Sequence, residues 1–310
     1  MKYLRQCGVR TAGLIVLTSL AACASSIPTL SPYNVWVFNN FTAGNSATGG
    51  GLAVGGTATI TSGYGIASNL GSEQLNSFPS GVTFVAGSVH GTPGLAQGNY
   101  YVGSGNVYNN GSGTQITRNP VDFSSQYTYF LALSAAISDL ATTGTDNCTH
   151  GSGDITCTAS AVNGLNVIDL SSASDLGNGL NIIGVSADSP LIINVGGTSG
   201  TLEPWSIEID GAQINTADAP YLLFNFYDAT SLKLESSLLG TILAPKADVT
   251  GNGSLAGQLI ANSFDGSTAF SNLPYEGTVP NAGSAVPEPG GLLLSGLGLA
   301  LLLGGRLLPR

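Results

Sequence analysis

Two stretches of the chain repeat one pattern of apolar and small residues. The step Ile242-Leu243-Ala244 returns as Leu259-Ile260-Ala261, 17 positions later, with an alternating segment and a Gly-Asn-Gly turn between. Residues 51–67 follow the same plan, from one apolar-Ala step through a Gly-rich corner to a second. Such returns are typical of coiled β folds. We therefore predict a mainly β, β-solenoid-like (β-helix) body, with a β-sandwich as the alternative.

Shorter runs of apolar or alternating residues predict further strands. Residues 82–89 and 100–107 carry Gly-Ser steps that lie 16 positions apart, which indicates that these two strands also stack. Gly, Pro and Asn residues mark the corners between strands. The remaining predicted strands lie at residues 33–41, 165–170, 180–185, 191–195 and 206–211, the last of which ends in an Asp-Gly turn signal.

One segment breaks the β pattern. Between residues 124 and 143 the apolar side chains recur with a period near 3.6, as they do on one face of an amphipathic helix. Ser124 or Ser125 is a suitable N-cap, and Gly144 is a suitable stop. We predict one α-helix that lies along the β body and covers an apolar flank.

The composition favours a single large all-β body at the cell exterior. Gly accounts for 44 of 310 residues and charged residues for only 8%, which predicts many turns and few helices held by ion pairs. Within residues 25–285, 17 acidic residues stand against three basic ones, a net charge of −14. Because this charge repels phosphate groups, we expect no nucleic-acid partner.

The first 24 residues have the parts of a secretory signal peptide. Basic residues come first, residues 12–20 form an apolar core, and small residues surround Cys23. We therefore expect export. Residues 20–23, Leu-Ala-Ala-Cys, also match a bacterial lipobox, in which Cys23 would be lipidated and would become the mature N-terminus. Cleavage without lipidation is the alternative.

The end of the chain has three parts. A linker at residues 280–285 precedes the segment Val286-Pro287-Glu288-Pro289, an uncharged apolar run at residues 290–305, and then Arg306 and Arg310. At about 1.5 Å per residue, a helix over this run reaches about 24 Å, short of the roughly 30 Å of a bilayer core. We predict a marginal membrane helix that holds the body outside the cell.

The body and the tail each resemble a known family. Residues 34–41, 49–56, 219–232 and 240–245 resemble the choice-of-anchor A domain. For residues 33–279 this implies an adhesive module that attaches to surfaces, to exopolysaccharide or to the biofilm matrix.

The tail from Val286 to Arg310 resembles the PEP-CTERM sorting signal, with Pro287-Glu288-Pro289 as its motif. This resemblance implies that an exosortase is a partner. It also implies that the apolar helix, a transient membrane anchor, is removed and that the protein is attached to the cell envelope.

Two cysteines lie close together in the body. For an exported chain, Cys148 and Cys157 predict a small disulfide loop, because the compartment is oxidising. A metal site that includes His150 is the alternative, although a fourth ligand is missing. Oxygen atoms for calcium are the other metal hypothesis, at Asp146, Asn147 and Asp154, although turn formation also explains these residues. We expect no bound metal and no cofactor.

Few residues favour catalysis. The body has only two histidines, His90 and His150, and it lacks the Gly-x-Ser-x-Gly and His-Glu-x-x-His motifs. A glycosidase needs two positioned carboxylates, which the spacing of the acids does not define. The candidate acids are Glu203, Glu208, Asp210, Asp228 and Glu235. We expect a non-enzymatic protein.

A candidate binding face remains. Thr57, Thr59 and Thr61 alternate with Ala58 and Ile60, so their hydroxyl groups would lie in a row on one side of a strand. Such a row can bind ice or glycans, whereas a solvated face selected for strand propensity is the alternative. The sequence thus predicts an envelope-displayed adhesive protein, with ice or glycan binding by a β-solenoid as the second hypothesis.

Overall fold

The computed structural model describes residues 30–144, 148–151, 154–177, 179–186, 189–204 and 206–280. Several predicted features therefore lie outside the described residues. These are the signal peptide with Cys23, the calcium candidates Asp146 and Asn147, and the tail with Val286, Pro287, Glu288, Pro289, Arg306 and Arg310.

The N-terminal part of the body contains seven strands and two α-helices. They are β1 (Tyr33–Val37), β2 (Phe41–Thr48), β3 (Gly51–Ile66), α1 (Ser72–Leu75), β4 (Val82–His90), β5 (Gly94–Leu95), β6 (Asn99–Val102), β7 (Tyr108–Asn109) and α2 (Phe123–Ser138). A 3-10 turn at Pro79–Gly81 leads into β4.

The C-terminal part adds strands without a further α-helix among its described residues. They are β8 (Thr149–His150), β9 (Asp154–Thr158), β10 (Asn166–Leu170), β11 (Gly179–Ile183), β12 (Leu191–Val195), β13 (Ser199–Leu202), β14 (Ser206–Ile209), β15 (Ala212–Gln213), β16 (Leu222–Asn225), β17 (Ser231–Leu234), β18 (Ser237–Leu239), β19 (Thr241–Gly251), β20 (Ser254–Ala256), β21 (Leu259–Gly266) and β22 (Ala269–Ser271). Ala173–Gly177 and Ala219–Tyr221 form 3-10 turns.

Most strands pair in parallel and fall into three stacks. The first stack runs through β10, β12, β16, β19, β21, β1, β3, β4 and β6. The second runs through β13, β17, β19, β21, β2, β3 and β4. The third runs through β18, β20, β22, β2, β3, β5 and β7. Long strands such as β3 and β19 contribute to more than one stack.

Within this sheet, four strands close on each other. β1 pairs with β3 and β21, and β2 pairs with the same two strands, so the four form a ring to which the other strands are added. The prediction of a mainly β body is confirmed. The arrangement is neither clearly a β-helix nor clearly a sandwich, and the β-solenoid description stays a prediction.

The 17-residue spacing is confirmed as a strand register. Ile242-Leu243-Ala244 of β19 pairs one to one with Leu259-Ile260-Ala261 of β21, and all six side chains are buried. Ser237 and Ser254 pair at the same offset. The 16-residue spacing is likewise a register, since Phe84 of β4 pairs with Tyr100 of β6. The register between stacked strands is therefore determined by apolar and small side chains that pack closely against each other.

Two expectations from the pattern are wrong in detail. Residues 51–67 do not stack on themselves, because Leu52 pairs with Val35 and Phe84, whereas Ile66 pairs with Leu95 in another stack. Residues 33–41 are not one strand either. β1 ends at residue 37 and β2 begins at residue 41, since the chain turns there from the first stack into the second.

The predicted helix exists as α2, but its ends differ. Asp122 rather than Ser124 caps the helix, because its Oδ1 accepts a hydrogen bond from the Ser125 amide at 3.1 Å. The helix ends at Ser138, before Gly144. The one-helix prediction also misses the single turn α1. The buried side chains of α2 are Phe130, Leu133, Ser134 and Ile137.

α2 covers the outer side of the first stack. The ring of Phe130 lies 5.9 Å from that of Trp36 and 6.1 Å from that of Phe38, measured between ring centroids. One helical turn after Phe130, Ser134 Oγ donates to Asn225 Oδ1 at 2.6 Å, and Asn225 Nδ2 donates to Asn194 Oδ1 at 2.9 Å. Both aromatic packing and a buried polar ladder therefore hold the helix on the sheet.

A second, smaller sheet contains the order β15-β14-β11-β9-β8. β14 and β15 form the hairpin that the Asp-Gly signal predicts, with Asp210 and Gly211 both at positive φ. Cys148 and Cys157 are joined by a disulfide bond, which links the residue before β8 to β9. Their Cα atoms are 4.1 Å apart.

Asn34 of β1 sits where the two ends of the body meet. The residue is 1% exposed, and its Nδ2 donates to the carbonyl oxygens of Gly257 at 2.6 Å and Ser271 at 3.2 Å. Its Oδ1 accepts from Thr48 Oγ1 at 3.0 Å and from the Gly50 amide at 3.2 Å. The four bonds use the full capacity of the amide. We call this contact the seam.

Substitution Asn34→Ala should lower the free energy of unfolding by about 3 kcal/mol, because it leaves several buried backbone and hydroxyl groups unpaired. The matched control is Asn39→Ala. Asn39 is exposed and donates one side-chain bond, to Asn262, so a loss of about 0.5 kcal/mol is expected. Urea unfolding of both variants measures the difference, and equal losses would contradict a special role for the seam.

Burial raises the pKa of three tyrosines, Tyr33, Tyr64 and Tyr275, well above the ordinary value near 10. The hydroxyl of Tyr33 donates to the carbonyl of Val82 at 3.0 Å. The hydroxyls of Tyr64 and Tyr275 have no partner among the described residues. Above pH 10 the unfolded chain releases these protons while the folded chain retains them.

The contribution of these tyrosines to the free energy of unfolding should therefore be constant below about pH 10 and fall above it, by about 1.4 kcal/mol per pH unit for each of them. Tyr64→Phe should remove one of these contributions. At pH 7 it should leave stability unchanged or raise it by about 1 kcal/mol, since the lost hydroxyl is unpaired. Urea unfolding as a function of pH tests this, and an alkaline slope that Tyr64→Phe leaves unchanged would be the contrary result.

Candidate functional site

The second stack has an exposed outer side, which we call the polar face. It comprises the outward side chains of β13, β17, β19, β21, β2, β3 and β4. The inward side chains of the same strands, among them Val249, Phe264, Phe41 and Ala58, are buried. This period-two alternation gives one apolar side and one wet side. Because parallel sheets are usually covered on both sides, an exposed parallel face is a distinctive feature.

One row of aligned residues crosses the whole polar face. Each residue pairs with the next one across neighbouring strands, and all are exposed or half-buried. In spatial order the row is Thr201, Lys233, Thr250, Asp265, Thr42, Thr59 and His90. At about 4.8 Å between strands, it extends over about 29 Å.

A second row lies two residues earlier on the same strands. It contains Ser199, Ser231, Asp248 and Ser263 in register and, further along, Thr57 beside Ser88. Asp248 Oδ1 accepts from Asn262 Nδ2 at 2.7 Å and from Ser263 Oγ at 2.6 Å. The hydroxyls of Thr57 and Ser88 lie 2.8 Å apart. Hydrogen bonds between strands therefore fix several polar side chains.

The structure places the three predicted threonines differently. Thr57 and Thr59 lie on the polar face with partners on neighbouring strands. Thr61 is exposed but falls at a shift of register between β2 and β3, and its hydroxyl donates to the carbonyl of Ala43 at 3.4 Å. The row of threonine hydroxyl groups therefore does not extend along β3 to Thr61. It continues across strands instead.

Sequence reasoning missed the other threonines of the row. Thr250 lies 17 positions after Lys233, the spacing that also relates the two apolar-Ala steps. Extending that spacing to the polar positions would have found this pair. Thr42 has the same signal on one side, because it pairs with Thr59 17 positions later, whereas its other partner, Asp265, is more than 200 residues away and gives none.

The acids considered for catalysis have local partners. Glu235 forms an ion pair with Lys233, and Asp228 lies 3.3 Å from Lys246 Nζ. Glu208 accepts from Gln213, and Asp210 accepts from the amide of Gly184. Glu203 is exposed between β13 and β14. Glu203 and Glu235 each follow one of the paired residues Leu202 and Leu234 of the large sheet, whereas Glu208 and Asp210 belong to the hairpin of the small sheet.

The metal hypotheses gain no support within the described ranges. His90 and His150 are both exposed and lie on separate sheets. Asp154 begins β9 and is exposed. Among the residues that the structure describes, no three His, Cys, Asp or Glu side chains are grouped as ligands for one metal ion.

The membrane prediction concerns residues beyond the described part of the chain. Within that part, neither α1 nor α2 is both long enough and apolar enough to cross a bilayer.

Together, the fold and the polar face define a mainly β protein that presents an ordered polar surface. Residues 27–272 match the model of the family described as "Putative Ice-binding-like adhesive domain". The chain belongs to this family of adhesive domains. No curated protein and no solved structure matches the chain.

Proposed function

We propose that this protein is an exported, non-enzymatic adhesive protein, displayed at the cell envelope or in the extracellular matrix, and that the polar face is its contact surface. Membership of an adhesive-domain family supports the first part. The observation that carries the second part is the row of aligned side chains across seven parallel strands. Such a row repeats at a constant spacing, so it suits a target that is itself extended and repetitive.

We further propose that the body is a β-solenoid of the choice-of-anchor A type. Three stacks of parallel strands support this description, as do registers of 16 and 17 residues between successive strands. A rigid body of this kind holds its surface groups in place without a ligand. Little ordering entropy is then lost on binding, which favours attachment by many individually weak contacts.

The chemistry of the polar face favours a neutral polysaccharide as the target. Its threonine, serine and asparagine groups both donate and accept hydrogen bonds, as sugar hydroxyls do. Asp248 and Asp265 add negative charge to a body that is already acidic. Polyanionic chains are therefore repelled, whereas neutral chains are not.

Ice binding is the second candidate, because Thr42 and Thr59 are adjacent in the row and Thr201 and Thr250 share it. Charged side chains of Lys233 and Asp265 interrupt this row. That interruption is the reason for ranking ice below a glycan.

Replacing Thr42 and Thr59 together by Val should reduce retention on a neutral polysaccharide by about tenfold, the equivalent of one or two hydrogen bonds. Stability should change little, since Val keeps the β-branched shape. The control pair, Thr149→Val and Thr158→Val, lies on the small sheet and is also exposed. Polysaccharide pull-down and thermal hysteresis are measured in parallel.

A loss confined to polysaccharide retention supports the glycan proposal, and a loss confined to thermal hysteresis supports ice. If the control pair has the same effect as Thr42 and Thr59, or if neither pair has an effect, the polar face is not the contact surface.

We also propose that the tail sorts the protein as a PEP-CTERM signal read by an exosortase. Deletion of residues 286–310 should move most of the protein from the envelope fraction to the medium. Cys23→Ser, made alone and with the deletion, separates sorting from lipid anchoring. Envelope retention that survives the deletion but not Cys23→Ser would refute the tail as the anchor.

A further inference from the structure

The seven-residue row and the second row of the polar face differ in their hydrogen bonding. In the second row, bonds between side chains of neighbouring strands, such as that between Thr57 and Ser88 at 2.8 Å, occupy the polar groups. In the seven-residue row, Lys233 forms an ion pair with Glu235. Among the residues that the structure describes, the other six side chains of this row have no hydrogen-bond or ion-pair partner. They are Thr201, Thr250, Asp265, Thr42, Thr59 and His90. Their polar groups are therefore available to a ligand.

The polar face is also long and narrow. Across the strands the seven-residue row extends over about 29 Å, at about 4.8 Å per strand. Along a strand, the two rows lie two residues apart, as Asp248 and Thr250 do on β19, which is a distance of about 6.6 Å. A linear polymer can therefore contact many groups of the row only if its axis runs across the strands.

This geometry distinguishes neutral polysaccharides by their linkage. In a β-1,4-linked chain of glucose, mannose or N-acetylglucosamine, both linkage bonds of each ring are equatorial, so the chain is extended and presents hydroxyl groups at regular intervals. One ring advances such a chain by close to the spacing between strands, about 4.8 Å. In an α-1,4-linked chain one of the two bonds is axial. That chain curves into a helix and would leave the row after a few sugars.

We propose that the seven-residue row binds an extended, β-1,4-linked neutral glycan whose axis runs across the strands, with about one sugar per strand. The glycan extends from Thr201 at one end of the row to His90 at the other. This inference rests on the adhesion proposed above and adds the class of ligand and its direction. The threonine hydroxyls donate to and accept from the sugar hydroxyls, and Asp265 accepts from one of them. The acidic body repels anionic chains.

Isothermal titration calorimetry with oligosaccharides of increasing length tests the proposal. The probes are β-1,4-linked oligomers of glucose, mannose and N-acetylglucosamine, and α-1,4-linked glucose oligomers are the matched control, because they contain the same sugar as the first series. For at least one β-1,4 series, affinity should rise by about threefold per added sugar, the equivalent of a weak hydrogen bond. It should level off at about six or seven sugars, where the row ends. The α-1,4 series should bind more weakly and should gain little with length.

A substitution at one end of the row tests the direction. Thr201→Val should weaken binding of a chain of about six sugars by about threefold to fivefold, because such a chain covers the whole row. A chain of about three sugars can lie at the other end, so its affinity should not change. Thr61→Val is the matched control, since Thr61 is an exposed threonine of β3 outside the row, and it should bind every chain as the wild type does. Urea unfolding checks that both variants fold.

A preference for β-1,4 linkage that levels off near the length of the row, together with the length-dependent effect of Thr201→Val, supports the proposal. Equal affinity for the two linkages, no gain beyond a disaccharide, or a Thr201→Val effect that is absent or equal for short and long chains overturns it and leaves the adhesion proposal intact. The proposal is also refuted if no β-1,4 oligomer binds while the polysaccharide pull-down still depends on Thr42 and Thr59. If neither assay detects binding, adhesion to a neutral polysaccharide is refuted as well.

Discussion

The insertion of β1 and β2 between β3 and β21 is the constraint on which the rest of the large sheet depends. Strands β3 to β7 on one side and the C-terminal strands on the other are joined in this sheet through these two strands. Asn34 fills the junction, with a bond to Gly257 that spans 223 positions. Closing so long a loop adds only modestly to the loss of chain entropy on folding. The sheet can nevertheless be completed only after the C-terminal strands have formed, because they supply the partner of β1 and β2.

The first and second stacks have different surroundings, and this difference is what leaves the polar face exposed. The first stack exposes apolar and amide side chains outward, and α2 covers them through Phe130, Ser134 and Ile137. The second stack presents hydroxyls, amides and charges instead, so it needs no cover. The helix α2 therefore covers the first stack, and the seven-residue row of the second stack is left exposed.

The sequence predicted what depends on short-range spacing. The 17-residue return of Ile242-Leu243-Ala244 became a register, and alternation correctly put Thr57 and Thr59 outside. Features that depend on residues distant in the sequence could not be predicted. Nothing near Thr42 indicates that it would lie beside Asp265, and the bulge that takes Thr61 out of the ladder arises from pairing with β2. The cap of α2 was missed for a local reason, because Asp122 precedes two serines that are equally good caps.

The position of the carboxylates indicates how such a surface can be both rigid and selective. Asp248 binds Asn262 and Ser263 on the neighbouring strand, so its charge is held in a fixed place by groups that would otherwise have to be ordered by a ligand. An acidic body without many compensating lysines also repels anionic polymers at a distance of about one Debye length, about 8 Å at physiological salt. For the proposed adhesion to a neutral polysaccharide, contact would then be favoured at two levels, by fixed hydrogen-bonding groups on the face and by long-range exclusion of charged competitors.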